Sequence, residues 1–171
     1  MALVVEDGTG LANAEAYAAV ADFVDYYTKR GETTLAAKTV AEIEVALRKG
    51  ADALDNFYRG RWKGVQTTTT QALSWPREGV VDDHEALEHD DDYVPPQIAK
   101  ASIILAGKSF SADLQPDAER SGTIKREMKQ VGPLQKEIEY TEGQDISNIY
   151  NSVDTLVRGL ITTGSRTLLR A

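Results

Sequence analysis

The sequence predicts a mainly α-helical protein: a small bundle of about three core helices with a short C-terminal helix, a long central loop, a small β-hairpin and extended termini. Three observations predict it. Apolar residues recur at helical spacing in three separated segments between residues 14 and 114. That periodicity vanishes between residues 59 and 94, and two short alternating runs flank Gly132-Pro133 later in the chain. With 171 residues there is room for one mid-sized domain, so residues 1–171 are read as a single unit. Within it the helical core covers 14–114 and contains the 59–94 loop, the hairpin covers 123–140, and a helix and tail cover 151–171.

The chain opens with an apolar arm, Leu3, Val4 and Val5, followed by a turn at Asp7-Gly8-Thr9-Gly10. So short an apolar run cannot fold alone, and it must lie on its own domain or on a neighbour. Asn13 can cap a helix over residues 14–30, where Tyr17, Val20, Ala21, Val24 and Tyr27 form one apolar stripe and Gly31 is placed to end it. Thr39-Val40-Ala41-Glu42 has capping-box spacing: the Thr39 hydroxyl can accept from the Glu42 amide while the Glu42 carboxylate accepts from the Thr39 amide. Ile43, Ala46, Leu47, Leu54 and Tyr58 continue that helix. Gly50 within it costs about 1 kcal/mol relative to alanine, which points to close packing or to nothing special.

Residues 59–94 hold a basic aromatic turn, Arg59-Gly60-Arg61-Trp62-Lys63-Gly64, a threonine run, and Ser74-Trp75-Pro76-Arg77. Pro76 pushes Trp75 toward an extended backbone, so the segment reads as a loop pinned by Trp62 and Trp75, an interface or a flap. Residues 82–92 carry seven carboxylates in eleven positions, and such mutual repulsion predicts an exposed segment. Pro95 and Pro96 then open a third helix reaching about residue 114, with Ile98, Ala101, Ile104, Leu105 and Lys108 along it. Residues 123–131 and 136–140 read as paired strands around Gly132-Pro133-Leu134, with Ile138 and Tyr140 on one face. A short helix over 154–164 has Val153, Leu156, Val157, Leu160 and Ile161 as its apolar side, and a basic apolar tail with Leu168 and Leu169 follows.

Nineteen lysines and arginines against 27 aspartates and glutamates give a formal charge of -8, the wrong sign for a protein that grips phosphates with its entire surface. With no cysteine there can be no disulfide, thiolate metal site or cysteine nucleophile. Neither a basic, apolar leader nor an apolar run of about 20 residues is present, so use inside a cell without a membrane is expected. His84 and His89 lie in the acidic run, where carboxylates and imidazoles could hold a cation, but neither an EF-hand ligand order nor His-Glu-x-x-His occurs. No catalytic, metal or cofactor residue is assigned, and no enzymatic activity is expected. Arg59, Arg61 and Lys63, with Trp62, Trp75 and Arg77, combine cations and large rings as strand-binding surfaces do. The plainer reading is that both tryptophans plug the end of the bundle while the cations face solvent or a neighbour.

Residues 1–17, Ala51-Asp52-Ala53-Leu54-Asp55, Trp62-Lys63-Gly64, Gln71-Ala72-Leu73-Ser74-Trp75-Pro76-Arg77, Val94-Pro95 and Val131-Gly132-Pro133-Leu134 together resemble a tailed-phage family. Its members are head-tail connector or head-completion adaptors, often labelled DnaT-like single-stranded DNA-binding proteins. The resemblance implies a non-enzymatic protein made in the host cytoplasm and placed in the virion neck, in a ring of about twelve copies. Its partners would be the portal, a downstream neck or tail protein, and packaged double-stranded DNA passing through without sequence-specific contact. Trp62, Trp75, Pro76, Arg77, Leu3, Val4, Val5, Leu168 and Leu169 would then be structural or interface residues. The alternative is single-stranded DNA binding in phage replication through Arg59, Arg61 and Lys63.

Overall fold

The capping box at Thr39 forms as its spacing predicts: Thr39 Oγ1 accepts from Glu42 N at 3.3 Å, and Glu42 Oε2 accepts from Thr39 N at 2.9 Å. It starts the longest helix, α3 (Val40–Phe57), which buries Ile43, Ala46, Leu47, Gly50, Ala51, Ala53 and Leu54 along one side. The structure is a computed structural model that describes residues 2–82, 87–88, 90–115, 127–131, 134–138 and 150–162, the β-strands at 87–88, 127–131 and 134–138 by their backbone alone. Two compact units are present, Met1–Leu114 with Tyr150–Ala171, and Gln115–Ile149.

In the first unit the remaining helices are α1 (Val20–Thr28), the single turn α2 (Thr33–Ala36), α4 (Pro96–Lys108) and α5 (Asn151–Val157), the last continuing as a 3₁₀ turn, Arg158–Leu160. The protein is mainly α, as expected. Pro96 occupies the first turn of α4, where its missing N–H costs no bond. Helix α4 packs on both α3 and α5, which is why it is buried nearly all round, with Ile98, Ala101, Ser102, Ile103, Leu105, Ala106 and Gly107 inside. It ends at Lys108, short of residue 114, although Leu114 is still buried. One half of the core gathers Phe23 and Tyr27 of α1 with Ile43, Ala46, Leu47, Ile103 and Ala106. The other gathers Leu54, Tyr58, Ile98 and Leu105 with Trp62, Trp75, Val153, Val157, Leu160 and Ile161.

The first helix is shorter than its sequence stripe. Residues 14–18 do not join it, because their backbone is taken by the arm: Glu6 N donates to Ala16 O at 2.9 Å and Glu15 N to Val4 O at 2.8 Å. Helix α1 therefore begins after Ala19, whose N–H donates to Asp22 Oδ2 at 2.9 Å, and Asn13 is not its cap. Its buried residues are Phe23 and Tyr27, while Ala21 is exposed and Tyr17 reaches the core from the preceding loop. The arm thus lies on its own domain, with Leu3, Val4 and Val5 half-buried. The buried Glu6 carboxylate accepts from Gly8 N, Gly10 N and Leu11 N at 2.9–3.0 Å and closes the turn. Gly8, at φ 102°, lies so close to the Asp92 carbonyl that no Cβ would fit.

The central segment is less formless than the sequence suggests. Antiparallel pairs join β1 (Val65–Gln66) to β2 (Arg77–Glu78), and β3 (Val81–Asp82) to β4 (Leu87–Glu88). Within the acidic run Asp82 is buried at 2% exposure, contrary to expectation, whereas Asp90, Asp91 and Asp92 are exposed. Helix α5 begins at Asn151, earlier than the expected 154, and Val153, Val157, Leu160 and Ile161 are buried as the periodicity requires. In the second unit β5 (Glu127–Val131) pairs antiparallel with β6 (Leu134–Ile138), with Val131 opposite Leu134. Leu134 is therefore in the strand and not in the turn. The remainder of the expected hairpin, the side chains of His84 and His89, and the tail with Leu168 and Leu169 lie outside the described residues.

Candidate functional site

The strand-binding reading of the central loop requires open tryptophan faces, and the fold closes them. Trp75 is fully buried and Trp62 is 7% exposed, the two rings meeting edge to face at 5.8 Å. Their burial follows from a local hydrogen-bond frame. Tyr17 Oη donates to Asp55 Oδ1 at 2.6 Å and accepts from Trp75 N at 3.2 Å, while Ser74 N donates to Asp55 Oδ2 at 2.8 Å. Gln71 Nε2 donates to Leu73 O and Pro76 O. The peptide between Trp75 and Pro76 is cis, and Pro76 is buried with its neighbour.

Two of the nearby cations are engaged in the same frame. Arg77 donates through Nε to Lys63 O and through Nη2 to Gly64 O, both at 2.7 Å, and through Nη1 to Ser74 O at 3.1 Å. Burial lowers its guanidinium from the ordinary value, with Tyr17 and Asp55 pulling the other way. Lys63 Nζ donates to Gly159 O at 2.8 Å and Val81 O at 3.1 Å. Of the expected nucleic-acid contacts only Arg59 and Arg61 are exposed, Arg61 lying 5.2 Å from the Tyr58 ring centre. Trp62, Trp75, Pro76 and Arg77 are thus brought together as a structural cluster.

Beside that frame lies a cleft of about 520 Å³ whose lining includes Asp52, Asp55, Asn56, Arg59, Gln66 and Ser74. Desolvation raises both Asp52 and Asp55 above the ordinary aspartate value; for Asp55 it outweighs the opposing hydrogen bonds from Tyr17 and Ser74. A raised carboxyl in a cleft is a familiar mark of acid catalysis. Here, however, both Asp55 oxygens are already occupied by Tyr17 and Ser74, so the group serves the loop.

A second groove, about 640 Å³, lies among α1, α4 and α5, and sequence reasoning missed it. Tyr26, Tyr27, Arg30, Glu32, Lys108 and Tyr150 contribute its aromatic and charged lining. The Arg30 guanidinium carbon lies 3.5 Å from the Tyr26 ring centre and Lys108 Nζ lies 5.4 Å from that of Tyr150. Tyr27 forms the floor: its hydroxyl donates to Ile103 O at 3.2 Å, its ring lies 4.7 Å from Phe23, and burial raises its pKa to about 12. Gly107 makes room for it, since a Cβ there would collide with the Tyr27 hydroxyl. The only trace in the sequence is the pattern Tyr26-Tyr27-x-x-Arg30, while Lys108 and Tyr150 arrive through tertiary packing.

Among the described residues no group of three or more histidine, aspartate or glutamate side chains could hold a metal ion, and no helix is long and apolar enough to cross a membrane. A family model described as "Putative DnaT-like ssDNA binding protein" matches residues 1–171. No curated protein and no solved structure matches the chain.

Proposed function

The chain belongs to the family described as "Putative DnaT-like ssDNA binding protein", and from that premise we propose that it is a non-enzymatic binder of single-stranded DNA. The match over the full 171 residues is the observation that carries this reading. The fold dictates how such binding would work. With both tryptophans closed off and a formal charge of -8, the surface as a whole repels a polyanion. Attraction must come from local cations beside exposed rings, so affinity should be modest and should fall with salt at a slope set by those few contacts. Fluorescence anisotropy with a labelled oligothymidine in low salt tests this: saturable binding lost on adding salt is expected, and its absence in low salt would sink the proposal.

A second reading, the head-tail connector, is favoured by the buried tryptophan pair together with the acidic surface. A ring lining a DNA channel works best with walls that do not hold the duplex, and an acidic subunit provides them. In that reading a ring of about twelve copies would join the portal to a neck or tail protein in the virion. Imaging of particles from a host producing the chain distinguishes the two, because a neck without this protein excludes the connector.

A further inference from the structure

We propose that the groove among α1, α4 and α5 is the single-stranded DNA site, with Tyr26 and Tyr150 stacking bases and Arg30 and Lys108 holding the adjoining phosphates. This rests on the strand-binding reading above and assigns it to residues outside the tryptophan loop. The Tyr26 and Tyr150 side chains are half-buried, so each ring keeps exposed surface, in contrast with Trp62 and Trp75. A cation lies over each ring, Arg30 covering one face of Tyr26 and Lys108 standing farther from Tyr150, so a base stacks on the ring surface left open with a phosphate anchor adjacent, the repeat that a nucleotide presents. Arg30 is exposed and its guanidinium donates from Nη1 to Tyr26 O at 3.1 Å, a bond that uses one of the five N–H groups of the fork.

Charge and shape agree with this assignment. Two cations line the groove with one carboxylate, Glu32, whereas the cleft beside the tryptophan frame sets Asp52 and Asp55 against Arg59 and Arg77, with the Arg77 guanidinium already spent on backbone carbonyls. A volume of about 640 Å³ accommodates a nucleotide-sized ligand. The walls are fixed before any ligand arrives: Tyr150 lies 5.7 Å from Phe57, ring centre to ring centre, and its carbonyl accepts from Val153 N and Asp154 N at the start of α5. Tyr27 is neutral near physiological pH, so the floor adds no negative charge. Paired bases hide their faces in the helical stack, so the rings should select single strands over duplex.

The test is anisotropy of the full chain with fluorescein-labelled oligothymidine of about 20 nucleotides, with a duplex of equal length as competitor. Tyr26→Ala and Tyr150→Ala should each weaken binding by about tenfold, from the usual contribution of one stacked base, and Tyr26→Phe and Tyr150→Phe should restore it. Arg30→Glu and Lys108→Glu alter exposed side chains that the core does not need, and each should reduce the slope of log affinity against log salt by about one. Duplex should compete poorly. If wild-type protein binds the oligonucleotide and all four charge or ring-removal variants bind equally well, the groove is not the site although strand binding stands. If the wild type does not bind at all, both fall together.

Discussion

An alanine at position 50 would favour the helical backbone of α3 by about 1 kcal/mol, yet its Cβ would come 2.5 Å from Ser102 O and 2.8 Å from Ala106 N on α4. Backbone atoms cannot swing aside, so the two helices would have to separate. Gly50→Ala should therefore lower stability by about 1–3 kcal/mol in urea unfolding despite the better propensity. The sequence left Gly50 undecided because the deciding atoms lie more than fifty residues away. Asp55 offers a pH test. Its carboxyl is raised above the ordinary 3.8 by burial, so its contribution favours the fold at pH below that value and is lost as pH rises through the higher folded value. Asp55→Asn cannot titrate, so the stability of wild type relative to this variant should improve as pH falls from 7 to 3.5, as measured by urea melts at each pH.

At the level of helices and loops, what could be read early was whatever depended on near neighbours. The Thr39–Glu42 box is such a case, and Thr39→Ala should cost about 1 kcal/mol, seen as a lower urea midpoint with unchanged slope. The start of α1 could not be read, because residues 14–18 have good helical spacing but lose their backbone to Val4 and Glu6, a competition between distant segments. Trp62 and Trp75 are buried against each other, and the frame that buries them joins Tyr17, Asp55, Gln71 and Arg77 from separated segments, so the sequence around either ring does not show that its faces are closed. Asp82 shows the same limit, an acidic run being exposed in general but not at each member. The tyrosine groove was invisible for a stronger reason. Its rings lie in α1 and just before α5, its second cation in α4, and no spacing rule relates them.

Across the molecule, the balance between net charge and local chemistry sets what the protein can bind. A charge of -8 disfavours indiscriminate contact with nucleic acid, so any strand it holds is held by a few side chains, and affinity should fall with salt at a slope of only about one to two. The core is closed by distant parts of the chain. Lys63 N donates to Leu160 O at 3.0 Å, Thr162 N donates to Arg61 O at 2.7 Å, and Trp62 and Ile161 form an antiparallel bridge. Nearly one hundred residues separate the two sides of that clasp, and it carries Val153, Val157, Leu160 and Ile161 into contact with Trp62 and Trp75. A nascent chain emerging from the ribosome can wind α3 and α4 early, but it has nothing to cover the tryptophan side until Ile161 has left the exit tunnel. During synthesis that apolar patch stays open to chaperones and proteases, and a message truncated before it should yield a polypeptide cleared from the cell and not a smaller working protein.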